Sequence, residues 1–418
     1  MVTQSLLNEP RSRQWIEQAG LDAIVACSPA NVRYLTGHHI WFNVTFKRHM
    51  LDPREPAGLP FCFAVLANGK KPSLVLDHMS ETNTADLDVD CYVYGQEKPG
   101  NSGPWNTHAS NKLSAQPFVP TRNRYESPFD ALVAVLHANG LTEARLGFEF
   151  EPMIPEDQAK LRKALPNAQL RDASQLFRMI RMVKTPVEQD LLRHGFEIAE
   201  RAAAESFKEA RVGTDLTDLA RIFRAQIAAD GADFDHYAYS PFGLGIATEP
   251  SYTISDGEVL FLDFGCVYRQ YYTDAGTSLF VGTTTAEDER VFEVLIRCLE
   301  TTRRELRPGV LSSRVQAVMA EVFEDGGLTG EFPHGHGLGL EVRDFPILVP
   351  DHGHRIRDDC IDVPADFPLE TGMVLNLEAP VFGIPGKAFQ LEQSFTVTPD
   401  GGAPLTDRDL TTPARVLP

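Results

Sequence analysis

The chain has 418 residues, 43% of them hydrophobic and 23% charged, with a formal net charge of −19. This is more than one compact domain usually holds, and the acidic balance argues against nucleic acid or an anionic membrane as partner. No apolar run approaches the roughly 20 residues of a membrane span. The opening stretch MVTQSLLNEPRSRQW lacks a signal-peptide core, and six scattered cysteines (Cys27, Cys62, Cys91, Cys266, Cys298, Cys360) show no metal-ligand spacing. A cytoplasmic protein with reduced thiols is expected.

Residues 1–175 read as an α/β domain. A helix over 11–19, a buried strand over 23–26, strands at 61–66 and 74–76, a helix over 128–139 and a strand over 145–150 predict a mixed or parallel sheet with helices packed on it. Two polar stretches punctuated by aromatics, 38–49 and 95–124, interrupt this pattern, and loops of such length are functional or disordered. Residues 176–418 read as the second domain. Thr185-Pro186-Val187-Glu188 opens a helix with proline in its first turn, and small or apolar residues at Leu191, Leu192, Ile198, Ala199, Ala202 and Ala203 keep a helical period. Gly213-Thr214-Asp215 caps a second helix over 216–229.

The stretch GEVLFLDFGCVYRQYYTDAGTSLF, Gly257 to Phe280, organises the remainder of the chain. Two strand-like runs, 259–262 and 267–272, each end at or near a carboxylate, Asp263 and Asp274. Carboxylates held so close repel unless a cation lies between them; the alternative is a hairpin with two solvated acids. Helices are expected over 286–306 and 312–323. Gly335-His336-Gly337-Leu338-Gly339-Leu340 then offers an imidazole amid glycines. The run 371–378 is an apolar strand ending on Glu378, and 389–395 places Glu392 in a further strand. Two Asp, one His and two Glu form an oxygen-rich set suited to a pair of divalent ions such as Mn, Fe, Co or Zn.

This constellation resembles the pita-bread metallopeptidase superfamily, which holds methionine aminopeptidase, aminopeptidase P, prolidase and creatinase. The phrase Ser28-Pro29-Ala30-Asn31-Val32-Arg33-Tyr34-Leu35-Thr36-Gly37 is similar to one early in the N-terminal domain of the larger members. The resemblance implies an α+β chain: an N-terminal α/β creatinase-like domain (1–175), then a C-terminal pita-bread domain (176–418) with pseudo-twofold symmetry. It further implies two metal ions, with Asp263 chelating one, Asp274 and Glu392 bridging, and His336 and Glu378 holding the second. A homodimer is implied as well. Because N-domain loops of one subunit reach the partner's site in such proteins, His38, His39, Trp41 and His49 are candidates for a substrate wall; ordinary packing is the alternative.

Two departures stand out. Peptidase members carry a histidine shortly before the first Asp strand, where this chain reads Gly245-Ile246-Ala247-Thr248-Glu249-Pro250-Ser251-Tyr252. They carry another seven residues after the ligand histidine, where this chain has Arg343. Arg343 stays protonated and is suited to clamping a carboxylate, or to an ion pair with Asp344. The polar segment 349–355 reads as an active-site loop able to return an imidazole through His352 or His354. The expected activity is hydrolysis of an amide or Xaa-Pro C–N bond by metal-bound hydroxide, with Glu378 shuttling the proton. Two alternatives remain. One is a non-peptidase member, a small-amide hydrolase or a dimethylsulfoniopropionate-type lyase, with Arg343 holding a substrate carboxylate and Asp344 as base. The other is a binding module that has lost catalysis.

Overall fold

A computed structural model of the chain describes residues 5–40, 47–50, 53, 62–95, 124–240, 247–248 and 251–416. The chain forms two compact units, Met1–Arg181 with Ile356–Val363, and Met182–Arg355 with Pro364–Pro418.

In the first unit a mixed sheet of β1 (Ala23–Ala26), β2 (Phe63–Ala67), β3 (Ser73–Asp77), β4 (Asp90–Tyr94), β5 (Arg124–Tyr125), β6 (Arg145–Phe148) and β7 (Gln169–Asp172) runs in the order β5-β4-β3-β2-β1-β6-β7. β1 is buried along its whole length, as a central strand covered on both faces requires. Its core joins Val25, Phe63, Val65, Val75, Leu146 and Phe148 to Leu132 and Leu136 of helix Pro128–Ala138. The phrase Ser28–Gly37 is a capped helix, Pro29–Thr36. Ser28 Oγ accepts from Asn31 N at 3.1 Å, proline occupies the first turn, and Gly37 at φ 74° ends it. The Glu149 carboxylate, just past β6, accepts from Cys27 N (2.9 Å), Ser28 N (2.8 Å) and Asn31 Nδ2 (2.6 Å), tying this helix to the sheet.

The second unit carries β8 (Asp233–Ser240), β9 (Ala247–Thr248), β10 (Val259–Tyr268), β11 (Tyr271–Tyr272), β12 (Ala275–Val281), β13 (His334–Gly337), β14 (Asp344–Leu348), β17 (Val374–Glu378), β18 (Glu392–Thr398), β19 (Gly401–Pro404) and β20 (Ala414–Val416); β15 (Arg355–Arg357) and β16 (Asp362–Pro364) form a hairpin that lies mostly in the first unit. Its architecture is one plan used twice. Helices Pro186–Lys208 and Leu216–Ala229 pack together and precede a sheet ordered β20-β12-β10-β8-β9. Helices Ala286–Thr302 and Ser312–Asp325 pack together and precede a sheet ordered β14-β13-β17-β18-β19. This is the pseudo-twofold α+β arrangement expected from the sequence. Thr185 and Glu188 form a capping box at the start of the first helix. The two sheets meet where Ser278 Oγ on β12 donates to Gln390 O at 2.9 Å and accepts from Gln390 N at 3.0 Å.

Two local expectations change. β10 runs unbroken through Asp263, and the reversal comes at Arg269 and Gln270, whose φ values are 49° and 71°. Asp263 is therefore mid-strand rather than at a strand end. The segment 349–355 leads into the β15–β16 hairpin, of which Ile356–Val363 belongs to the first unit. There Asp358 Oδ2 accepts from Gln175 N (2.9 Å) and Leu176 N (3.0 Å) at the start of helix Ser174–Arg181.

Candidate metal centre

Strand register decides which side chains meet. Asp263 lies opposite Gly276 across β10–β12, and residue 274 precedes 276 by two, so positions 263, 274 and 276 face one side. Glycine at 276 leaves room for the Glu392 carboxylate against this face. On the other sheet His334 pairs with Glu378, His336 with Asn376, and Glu378 with Glu392. These cross-strand pairs share one face and present two imidazoles and two carboxylates toward the first set. The sheets touch at this point, where a Cβ on residue 276 would lie 2.6 Å from Glu392 Oε1.

Two groups of donors result, His236 with Asp263 and Asp274, and Asp274 with His336 and Glu378. Asp274 belongs to both. His336 Nδ1 donates to Gly337 O at 2.8 Å. Its Nε2 is fully buried, 3.2 Å from Asp274 Oδ2 and 3.1 Å from Glu378 Oε1, yet meets no acceptor at a hydrogen-bonding angle. Glu378 Oε1 also lies 3.3 Å from His334 Nε2 and 3.1 Å from Arg343 Nη2. Glu392 is completely buried. Its Oε2 accepts from Asn376 Nδ2 at 2.9 Å and its Oε1 from Gln390 Nε2, which leaves lone pairs on both oxygens.

The electrostatics describe a site short of positive charge. Burial, then the charges of Asp263, Asp274 and Glu378, push the Glu392 carboxyl far above the usual carboxylate range. Burial and Asp274 raise Asp263 to about 6. Burial disfavours ionised Glu378, but His334 and His336 hold its carboxyl well below the usual range. Burial likewise opposes a charge on His336, and Asp274 and Glu378 overcome it, raising the imidazole to about 9. Asp274 and Glu378 flank a buried imidazole nitrogen that has no hydrogen-bond acceptor, with half-buried Asp263 and buried Glu392 beside them; these are the donors a divalent cation needs, so the residues fit a metal site.

The structure brings Asp263, Asp274, His336, Glu378, Glu392 and Arg343 together. Asp344 it places elsewhere. Arg343 lies in the bend just before β14, and Asp344 is the strand's first residue; Asp344 Oδ2 lies 3.7 Å from buried Lys184 Nζ, and Oδ1 accepts from Phe345 N at 3.0 Å. An Arg343–Asp344 pair and Asp344 as base were expected; the described contacts instead give Arg343 to Glu378 and Asp344 to Lys184. His352 and His354 are exposed, edge to face at 6.1 Å, and none of the described contacts links them to the carboxylates. His38 is a buried imidazole of the first unit, driven down to about 4 by burial, His39 and Arg33; Trp41 lies outside the described residues. Sequence reasoning missed His236 and His334. The signal for His334 was its two-residue spacing from His336, which shares a strand face. For His236 it was the alternating run Asp233-Phe234-Asp235-His236-Tyr237-Ala238-Tyr239, a strand that offers a side chain to its acidic neighbour.

Comparison with known proteins agrees with this geometry. Residues 190–399 match Metallopeptidase family M24, and residues 10–183 match the Creatinase/Prolidase N-terminal domain. An Xaa-Pro dipeptidase of Lactobacillus delbrueckii subsp. lactis is 24% identical over 416 residues, covering 96% of each chain. Among solved structures, an Xaa-Pro dipeptidase from Bacillus anthracis superposes with a TM-score of 0.71 at 19% identity, covering 96% of this chain and 97% of that one. An X-Pro aminopeptidase from Thermotoga maritima superposes with 0.67 at 18% identity, covering 98% and 99%. With two sheets converging their acids and imidazoles on one centre, and with the family match spanning half its length, this chain belongs to metallopeptidase family M24, joined to a creatinase/prolidase N-terminal domain.

Proposed function

We propose that the protein is a dinuclear-metal hydrolase of C–N bonds whose substrates are Xaa-Pro peptides. The observation that carries this reading is the convergence of Asp263, Asp274, His336, Glu378 and Glu392 from two strand pairs on one buried centre. The names of its relatives support the substrate class. Asp263 and His336 would each hold one ion, Asp274 and Glu392 would span both, and Glu378 would complete the second. Manganese, iron, cobalt and zinc all suit this set. The ions supply Lewis acidity toward a scissile carbonyl and toward water. The chain's own part is orientation and proton handling. Glu378, steered by His334, His336 and Arg343, is an ionised acceptor able to take a proton on Oε1 and return it to the departing nitrogen. All six thiols are unpaired, which supports a cytoplasmic setting. Among the described residues no helix is long and apolar enough to cross a membrane. A homodimer completes the reading.

A second reading has its own observation. Arg343, half exposed, extends to Glu378 Oε1 at 3.1 Å, where peptidases of this family carry histidine. A guanidinium there would hold the carboxylate of a small substrate, as in a small-amide hydrolase or lyase. Turnover by Mn- or Fe-reconstituted protein on Xaa-Pro di- and tripeptides, beside small amides and betaine-like compounds, separates the two. Xaa-Pro cleavage abolished in Asp274→Ala and His336→Ala is expected. Silence on peptides with turnover of a small carboxylate-bearing compound would replace the first reading with the second. Undiminished activity in both variants would overturn both.

A further inference from the structure

We infer that His236 is a sixth metal ligand, joining Asp263 and Asp274 at the first ion, and that Asp235 is its positioning residue. The inference rests on the metal-centre reading above and adds a donor that none of the five sequence-predicted ligands supplies. His236 Nε2 lies 2.8 Å from Asp263 Oδ1 and 3.5 Å from Asp274 Oδ1, while Nδ1 lies 2.8 Å from Asp235 Oδ2. The backbone is arranged for this reach. On β8 and β10, His236 pairs with Gly265 and Ala238 with Asp263, so His236 and Asp263 are diagonal neighbours on one face. A Cβ at residue 265 would lie 2.5 Å from His236 Cε1 and 2.3 Å from Thr273 O. Glycine there is what lets the ring lie across β10 toward the acids.

The chemistry comes from the two ring nitrogens. A carboxylate on Nδ1 holds the proton there, leaving the Nε2 lone pair for a cation; this is the carboxylate–histidine–metal relation of many metal sites. Asp263, Asp274 and Glu392 alone make the first ion's environment all oxygen. An imidazole shifts that ion's preference from hard ions toward Fe(II), Co(II) or Zn(II). The competing role is an imidazolium that bridges Asp235 and Asp263 and touches no metal.

The test uses the full-length protein, stripped with chelator and titrated with Co(II). Metal content is read after gel filtration, affinities by calorimetry and ligand environment by visible absorption. His236→Gln is expected to weaken one of the two sites at least tenfold and to change the Co(II) spectrum of that site. Asp235→Asn, which keeps the imidazole, is expected to weaken the same site roughly 10–100-fold. Circular dichroism checks that each variant is folded, and Asp235→Asn carries the test should His236→Gln not fold. Two ions bound with wild-type affinities and an unchanged spectrum in both variants would overturn the assignment of His236 while leaving the metal centre standing. A wild-type protein that takes up no ion would overturn both.

Discussion

Gly276→Ala is a small change that should disable the centre without replacing a ligand. The added methyl would lie 2.6 Å from Glu392 Oε1, 2.6 Å from Gln390 Cγ and 2.9 Å from Glu392 Cδ. Non-bonded contact needs roughly 3.5 Å, so something must give by close to 1 Å. Backbone strain is not the issue, since Gly276 is not among the residues at positive φ. Glu392 has nowhere to retreat, because it is fully buried with its oxygens held by Asn376 and Gln390. Overpacking of this kind costs about 1–3 kcal/mol, which a two-unit protein survives. Metal–ligand distances tolerate only about 0.2 Å, and a misplacement of about 1 Å costs on the order of 100-fold in rate. The variant should therefore fold, bind metal more weakly and lose about two orders of magnitude in turnover. Metal analysis after gel filtration, calorimetric titration and steady-state kinetics with saturating metal measure this. Full wild-type metal content and rate in Gly276→Ala would refute the placement of Glu392 against the second strand of the acidic hairpin.

Chelation should lower the thermal midpoint, since the ions bind only the folded site. At free metal a thousandfold above Kd the linkage is about 4 kcal/mol, on the order of 10 °C for a unit of this size. Glu392→Gln, an isostere of the protonated acid favoured in the stripped site, should leave the midpoint of stripped protein nearly unchanged and abolish the gain on adding metal; a normal gain would remove Glu392 from the site. Glu188 supplies a pH prediction. Burial raises its carboxyl from 4.5 to about 7 against the hydrogen bonds of Thr185 and Tyr271. An acid whose folded value is raised favours folding while protonated, so its contribution is complete below 4.5 and is lost as pH climbs toward 7. The loss is about 3 kcal/mol, and Glu188→Gln should flatten that part of the stability curve measured by urea unfolding. An unchanged slope would refute it.

Much of this protein was legible in one dimension because its signals are local. Proline after Thr185 with Glu188 three residues on, the 3.6-residue period of the helix they open, and the buried run Ala23–Ala26 each state their own structure. So did the acids at 263, 274, 378 and 392, which end or punctuate apolar strands, and the His336 imidazole amid glycines. What the sequence could not decide was register and side. The reversal at Arg269–Gln270 rather than before Val267 placed Asp263 in mid-strand, opposite Gly276. Pairing of β8 with β10 brought His236 over Gly265 to the acids, and pairing of β13 with β17 put His334 on Glu378. The bend before β14 separated two sequence neighbours, with Arg343 on Glu378 and Asp344 beside Lys184. These outcomes depend on hydrogen bonds between residues far apart in the chain, and a slip of one residue would reverse every one of them.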